Sequence, residues 1–293
     1  MGNYLLVKEA SMADDGSDTN YQVRALARGL AVLTCFTPER TSYTLPELSK
    51  RVNVPKGTLY RLLEGLCVAE FLEHDVATGV YTLGIKAFEV GASYLAHLDF
   101  PQNARAALEM LATTCGETAS LGVLSKGEVV YIAIEHTQRE IGIQSQIGTR
   151  HPTHCTALGK VLLSELPDDG VVSLLEPLGL PALTEHTITL PGALLAELHQ
   201  VRQRGYAIDN EERAYGIKCI AAPIHNHMGR IVGAISVSGP AFRVSAETLP
   251  EIIGAVTTAA ASVSRRQGYR QPVREAPLSY SQSDNVSDKQ PAP

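Results

Sequence analysis

Residues 44–66 read TLPELSKRVNVPKGTLYRLLEGL, and this stretch predicts two short helices separated by a tight turn. Thr44 and Glu47 have the spacing of a capping box, in which the threonine caps a helix and the glutamate bonds back to it. Pro55 suits the first turn of the second helix, because a backbone N–H there would have no helical partner. Leucines follow at i, i+3, i+4 and i+7, the spacing of one buried face: Leu59, Leu62, Leu63 and Leu66. The stretch therefore predicts a helix-turn-helix.

The remaining face of the second predicted helix is polar and presents Lys56, Gly57, Thr58, Tyr60 and Arg61. In a helix-turn-helix, the second helix enters the DNA major groove with its N-terminal residues first. Residues 43–62 hold four cations and one carboxylate, although the whole chain has a net charge of -6. Because a nucleic-acid footprint is basic, this local patch makes these five residues the candidate DNA-binding site.

A β-hairpin is predicted directly after the second helix. Residues 71–74 and 80–83 alternate apolar and polar side chains around a turn that contains Gly79. A helix-turn-helix followed by a hairpin is a winged helix, and the wing would lie beside the groove. Leucine spacing alone would also fit an ordinary all-α domain, but the hairpin and the local charge argue against that interpretation.

The rest of the chain predicts a linker and a second domain, since 293 residues fit two domains of roughly 100–200 residues. Residues 84–99 predict an amphipathic helix, which is either a linker that packs on a partner subunit or an ordinary core helix. Residues 100–267 mix helices with short strands, one of them expected at 141–147. The lack of strict βαβ alternation favours an α+β sheet covered by helices.

Composition excludes several classes of protein. No apolar run approaches 18 residues, which argues against a membrane span, and no signal-peptide pattern occurs. The five cysteines are scattered without a CxxC pair, so neither a disulfide scaffold nor a structural zinc site is expected. Glycine motifs that bind nucleotides are missing too. We expect a cytoplasmic protein without a cofactor, with polar, disordered ends at 1–20 and 268–293.

A longer motif lies in the second predicted domain: Gly205-x3-Asp209-x2-Glu212-x6-Cys219-Ile220-Ala221-x2-Ile224-His225-Asn226. It resembles the signature of the IclR family of bacterial transcriptional regulators, and every defined position is met. Residues 55–63 and 81–84 resemble the N-terminal half of the same family. The resemblance covers roughly residues 21–266.

The resemblance implies an α+β protein of two domains. A winged helix-turn-helix at 21–83 would be joined by the linker helix to a GAF-like effector-binding domain at 100–267, in dimers that often pair into tetramers. A small effector would bind on the sheet of the second domain, against Ala157, Leu158, Asp209, Cys219, Ser236 and Ser238.

The chemistry of these positions suits a small carboxylate. Strand alternation places Ser236 and Ser238 on one face. The helix N-terminus near Thr156 offers N–H groups to an anion. A sugar acid, an aromatic acid and a keto acid all remain open as the effector.

We therefore expect a ligand-responsive regulator of a catabolic operon that binds operator DNA. Repression is the default expectation, and the sequence permits activation equally. The alternatives are a GAF-like sensor without DNA binding and an enzyme that uses Cys219 with His225 or His227 as base. No group orients either histidine as a catalytic base requires. A metal site at His225 and His227, with His151 and His154, would need tetrahedral geometry, and surface histidines are the simpler interpretation.

Overall fold

The computed structural model describes residues 18–97 and 100–270. The chain divides into two compact units, Met1–Asp99 and Phe100–Pro293. Most of each predicted disordered end, residues 1–17 and 271–293, lies outside the described residues. Among the described helices, none combines the length and the apolar character that a membrane crossing requires.

The N-terminal unit packs short helices against a small antiparallel sheet. Its helices are α1 (Asp18–Leu33), α2 (Leu45–Arg51), α3 (Lys56–Val68) and α4 (Ile85–His97). Its strands are β1 (Ser42–Thr44), β2 (Leu72–Asp75) and β3 (Val80–Leu83), in the spatial order β1-β3-β2. The predicted hairpin is therefore present, and it gains a third strand, β1, that the sequence analysis did not predict.

Local signals in the sequence explain how α2 and α3 form. The Thr44 backbone N–H and hydroxyl both donate to Glu47 Oε2 at 2.8 Å, which ties the glutamate back to the start of α2. Leu59 and Leu63 of α3 are fully buried in a core that also holds Leu48 and Tyr81. These contacts direct the other face of α3 toward solvent.

The C-terminal unit is built on a six-stranded sheet. Its strands are β4 (Thr118–Ser125), β5 (Glu128–Glu135), β6 (Arg150–Pro152), β7 (Ala207–Asn210), β8 (Ile217–His225) and β9 (Ile231–Pro240). The spatial order is β6-β5-β4-β9-β8-β7, and every neighbouring pair is antiparallel. Its helices are α5 (Phe100–Cys115), α6 (Ala157–Leu163), α7 (Asp168–Leu175), α8 (Pro191–Arg204) and α9 (Leu249–Arg266).

Helices cover both faces of this sheet. Ala221 of β8 is in one buried cluster with Ala157 and Leu158 of α6. The next residue, Ala222, lines a groove with Ala260 of α9. Because successive strand residues point to opposite faces, α6 and α9 lie on opposite sides, and α5 packs beside α9.

The predicted strand at 141–147 is wrong: in the described structure this segment is irregular, and β6 forms the sheet edge instead. The carbonyl of Ile143 accepts from the Thr118 hydroxyl at 2.8 Å, and the carbonyl of Ile141 accepts from Arg243 Nη2 at 2.7 Å. Side chains thus donate to the backbone carbonyls of this segment, which in a strand would accept from the backbone N–H groups of a neighbouring strand. The alternating apolar residues at 141–147 predicted a strand with one buried face, whereas Ile141 is 66% exposed.

The two ends differ slightly from the predicted disordered segments. Helix α1 begins at Asp18, so it includes residues 18–20 of the predicted arm. Gly268–Arg270 are also described, and the Tyr269 ring stacks on His225 with ring centroids 4.7 Å apart.

Candidate functional site

The exposed edge of α3 carries all five residues predicted to contact DNA. Lys56, Gly57, Tyr60 and Arg61 are exposed and Thr58 is half-buried. Within the described part of the chain, the side chains of Lys56, Thr58 and Arg61 have no hydrogen bond or ion pair. This edge is therefore available to an external partner.

Sequence reasoning missed a further cation beside this edge. Arg28 of α1 lines a groove of about 360 Å³ together with Thr58 and Arg61 of α3. The leucine pattern of α1 predicts a helix but does not indicate which of its faces meets α3. Arg28 and Arg61 together concentrate positive charge at the groove, as phosphate contacts require.

The wing differs electrostatically from α3. Glu73 and Asp75 are exposed on the hairpin, and residues 71–83 include neither lysine nor arginine. Asp75 accepts hydrogen bonds from the Ala77 N–H at 2.9 Å and the Thr78 hydroxyl at 2.7 Å, which stabilise the turn. The hairpin therefore adds no lysine or arginine to the basic edge of α3.

All six residues predicted to bind an effector line one cavity of about 360 Å³ in the C-terminal unit. Asp209, Cys219 and Ser238 lie in register on the neighbouring strands β7, β8 and β9, and Ser236 follows on the same face of β9. Ala157 and Leu158 begin α6, whose capping residue Thr156 accepts from the Gly159 N–H at 3.2 Å. The fold therefore brings together residues that are up to 81 positions apart.

Arg213, His151 and Tyr131 also line the cavity, and the sequence analysis did not assign them to it. Arg213 Nη2 donates to His151 Nδ1 at 2.7 Å, and the His151 and Tyr131 rings lie 4.8 Å apart. Burial, reinforced by the Arg213 charge, lowers the pKa of His151 to about 4. His151 is consequently neutral at pH 7 and accepts the arginine hydrogen bond.

Arg213 directly follows Glu212 of the family signature. This position is the one signal in the sequence that could have assigned Arg213 to the cavity. The signature loop, which follows β7 and carries Glu212 and Arg213, is held by hydrogen bonds from two sides. Asp209 Oδ1 accepts from the Glu212 N–H at 2.8 Å and from the Arg213 N–H at 3.4 Å. The Thr187 hydroxyl donates to the Glu212 carbonyl at 2.5 Å. These bonds fix where the Arg213 side chain starts.

Asp209 is the carboxylate of the cavity, and it is 1% exposed. Burial raises the pKa of Asp209 to about 6, against the lowering effect of the backbone N–H groups that it accepts from. The group is thus mainly ionised at pH 7 and gains a proton in mild acid.

Comparison with known proteins identifies the family. The model for the bacterial transcriptional regulator IclR C-terminal domain matches residues 92–265, and the model for the IclR helix-turn-helix domain matches residues 25–76. The chain belongs to the IclR family. The two-domain α+β architecture and the helix-turn-helix expected from sequence are confirmed.

Relatives of this IclR-family protein are named as transcriptional regulators rather than enzymes. It is 35% identical over 247 residues to the HTH-type transcriptional regulator KdgR of Escherichia coli K12, covering 84% of this chain and 94% of that protein. It is 31% identical over 250 residues to the HTH-type transcriptional repressor AllR of Salmonella typhimurium, covering 85% and 92%.

A solved structure of a transcriptional regulator from Rhodococcus sp. RHA1 has the same fold. It superimposes with a TM-score of 0.74 at 33% identity, covering 83% of this chain and 97% of that one.

The structure separates the residues of the cysteine-enzyme alternative. Cys219 lines the cavity of the C-terminal unit, whereas His225 lines the groove beside α9 and stacks on Tyr269. Burial raises the pKa of the Cys219 thiol far above its ordinary value, so it is uncharged at pH 7. A buried, neutral thiol is a poor nucleophile.

Three of the four histidines considered for a metal site have separate partners. His151 bonds to Arg213, and His154 Nε2 lies 3.1 Å from the Pro181 carbonyl. His225 stacks on Tyr269. Among the described residues, no cluster of histidine, cysteine and carboxylate side chains has the arrangement of a metal site.

Proposed function

We propose that this IclR-family protein represses a catabolic operon in the cytoplasm and that a small organic acid controls its binding to operator DNA. The observation that carries the proposal is the pairing of two sites in one chain. One unit has an unengaged basic edge on α3, and the other encloses a cavity lined by all six expected effector residues. Neither site alone would make a switch.

On DNA, Lys56, Thr58, Tyr60 and Arg61 would contact bases and phosphates of the major groove. Phosphate contacts supply affinity and register, whereas contacts to base edges supply sequence choice. Gly57 lets the backbone approach the duplex, because a Cβ built there meets no atom of the described residues within 4 Å.

A dimer is favoured by apolar surface on the N-terminal unit. Leu26 and Leu30 of α1 are 65% and 54% exposed, and Phe88 and Tyr94 of α4 are 70% and 56% exposed. Large exposed apolar residues on neighbouring helical turns indicate an interaction surface. Two winged helices paired in this way would read an inverted repeat, and two such dimers could associate into a tetramer.

The effector acts by changing which arrangement of the paired winged helices is populated. A ligand shifts such an equilibrium only by its differential affinity for the two states. Helix α4, which follows the wing directly and precedes the effector-binding unit in the chain, is the proposed element that transmits the change.

A gel-shift titration with the DNA upstream of the protein's own gene tests the proposal. Affinity is expected to fall steeply as salt rises, because neutralised phosphates release counterions. In a thermal-shift screen of small acids, the effector should raise the melting temperature of the protein, since a ligand that binds only the folded state stabilises it. The proposal is contradicted if DNA affinity does not depend on salt concentration. It is also contradicted if an acid stabilises the protein without altering the DNA gel shift.

A further inference from the structure

One loop forms a wall of the cavity in the C-terminal unit. This wall loop, residues 136–149, joins β5 to β6 and is irregular. Four consecutive residues of it line the cavity together with Ser236 and Ser238 of the sheet: Gly142, Ile143, Gln144 and Ser145. The position of the wall loop therefore determines how open the cavity is on that side.

The wall loop is attached to the rest of the unit over a small area. In the described part of the chain, every hydrogen bond that joins residues 137–145 to the rest of the unit involves residues 116–118 or Arg243. The Thr118 hydroxyl, for example, donates to the Ile143 carbonyl at 2.8 Å. A few side-chain contacts thus take the place of the backbone ladder that would hold a strand.

Glu117 is at the centre of these contacts, and its side chain is 2% exposed. Arg243 donates from Nε to Glu117 Oε1 and from Nη2 to Oε2 at 2.9 Å, so the planar fork of the arginine pairs with both carboxylate oxygens. Arg139 Nη1, from the wall loop, donates to the same Oε1 at 3.2 Å. Arg243 Nη2 also donates to the Ile141 carbonyl at 2.7 Å. One carboxylate therefore holds the wall loop directly through Arg139 and indirectly through Arg243.

Close packing fixes the position of this charged cluster. A Cβ added to Gly239 of β9 would lie 2.7 Å from Glu117 Cδ. A Cβ added to Gly116 would lie 2.5 Å from Arg139 Nη2. A side chain at either glycine would displace the ion pairs, so the cluster depends on both glycines.

Detaching the wall loop means breaking part of this cluster. Separation of Arg139 from Glu117 takes a partner from a buried charge, which is strongly unfavourable. Because no backbone ladder joins residues 137–145 to the sheet, the loop can open while the sheet stays folded, and such local opening requires less free energy than global unfolding. The ion pairs, rather than the core, therefore control the opening.

We propose that Glu117 is the positioning residue of the cavity wall. Its ion pairs with Arg243 and Arg139 hold the wall loop in place and so set the rate at which small molecules enter and leave the cavity. This inference rests on the proposed function only because it treats the cavity as a ligand site. It concerns access to the cavity and makes no statement about the chemistry of the ligand.

Alkylation of two cysteines by iodoacetamide measures access to the cavity without an effector. Cys219 lines the cavity, whereas Cys155 is 0% exposed and lies outside the lining. Peptide mass mapping of the full-length protein therefore reports opening of the cavity at Cys219 and unfolding of the unit at Cys155. Glu117→Gln and Arg243→Gln are expected to raise the alkylation rate of Cys219 about tenfold and that of Cys155 far less.

Arg202→Gln is the matched control. Arg202 Nη2 donates to the Leu166 carbonyl at 2.7 Å and Nη1 to Asp168 at 3.2 Å, so this arginine makes the same kinds of bond in the same unit but outside the cavity lining. Its substitution should leave the alkylation rate of Cys219 unchanged. The inference is overturned if Arg202→Gln and Arg243→Gln accelerate that alkylation equally.

Cleavage of the wall loop itself is a second readout. Glutamyl endopeptidase cuts after Glu140, which is exposed in the loop, and a loop that detaches more often is cut faster. Glu117→Gln should also speed this cut about tenfold. If Glu117→Gln does not fold, Arg139→Gln replaces it, because the Arg139 side chain is 50% exposed. A smaller acceleration of the cut is then expected, since one ion pair of the cluster is lost.

The possible outcomes separate this inference from a purely structural role and from the proposed function. Equal acceleration of alkylation at Cys219 and Cys155 would show that Glu117 only stabilises the fold, and unchanged rates in all variants of the cluster would show that it does not hold the loop. Either result overturns the inference. Operator binding is measured on the same samples by gel shift. Failure of the wild type to bind operator DNA counts against the proposed function alone, because neither readout requires DNA or an effector.

Discussion

Lys160 Nζ of α6 lies 2.6 Å from Glu212 Oε1, and both side chains are buried in the C-terminal unit. Lys160 also lies 3.5 Å from Glu197 of α8. This contact ties α6, which begins at the cavity of the C-terminal unit, to the signature loop that carries Arg213. Glu212 Oε2 has no partner within the described chain, so the lysine is the main compensation for a buried charge.

Lys160→Met is expected to lower the free energy of unfolding by about 3–5 kcal/mol, because it leaves the Glu212 charge buried and unpaired. The double variant Lys160→Met with Glu212→Met should recover most of the loss, since apolar residues of similar size replace the pair. Urea unfolding followed by circular dichroism measures both. A single variant that loses less than about 1 kcal/mol would show that solvent screens the pair.

Asp209→Asn should remove a dependence of stability on pH. Burial raises the folded-state pKa of Asp209 to about 6, above its ordinary value of 3.8. The folded state therefore holds this proton more tightly, and wild-type stability falls as pH rises until it passes the folded pKa.

The free energy of unfolding of Asp209→Asn minus that of the wild type is the quantity compared. This difference is expected to be about 1 kcal/mol larger at pH 7.5 than at pH 5. Urea midpoints of both proteins at the two pH values provide the measurement, and the difference between them cancels the other titrating groups. An unchanged difference between pH 5 and pH 7.5 would mean that Asp209 titrates normally.

Arg61→Ala is expected to weaken operator binding by about 1–3 kcal/mol if the guanidinium reads a base. Arg105→Ala is the matched control, because Arg105 of α5 is exposed and pairs only with Glu109 within the described chain. Gel-shift titrations at one salt concentration compare the two variants. Equal affinities for wild type and Arg61→Ala would show that α3 is misassigned as the recognition helix.

Phe88→Glu should shift the protein toward monomer, because it places a charge in the exposed apolar surface of α4. Val76→Glu is the control: Val76 is 85% exposed at the wing tip, outside that surface. Light scattering coupled to size exclusion reports the molar mass of each. A Phe88→Glu protein with the wild-type mass would exclude α4 from the interface.

Much of the N-terminal unit was predictable because its signals are local. A capping box starts α2, a proline starts α3, and the leucine stripe defines the buried face of α3. These patterns act over four to eight residues, so they operate before any distant contact forms. The exposed edge from Lys56 to Arg61 follows directly, since it is the face opposite Leu59 and Leu63.

The effector cavity was only partly predictable. The family signature identified Asp209 and Cys219, and strand alternation paired Ser236 with Ser238. Nothing in the spacing of residues joins Arg213 to His151, which are 62 positions apart. The segment 141–147 was misassigned for a related reason, because the hydrogen bonds of its carbonyls come from Thr118 and Arg243.

By itself, the sequence determined the helix-turn-helix, the basic edge of α3, the α+β class of the second domain and membership of the IclR family. Periodicity, capping and turn chemistry depend on residues close together in the sequence, so they can be predicted from the sequence alone. Only the tertiary structure decided that Arg213, from the loop after edge strand β7, reaches His151 on the opposite edge strand β6. That contact depends on how the sheet and its loops close around the cavity, and such closure is set by packing between distant segments.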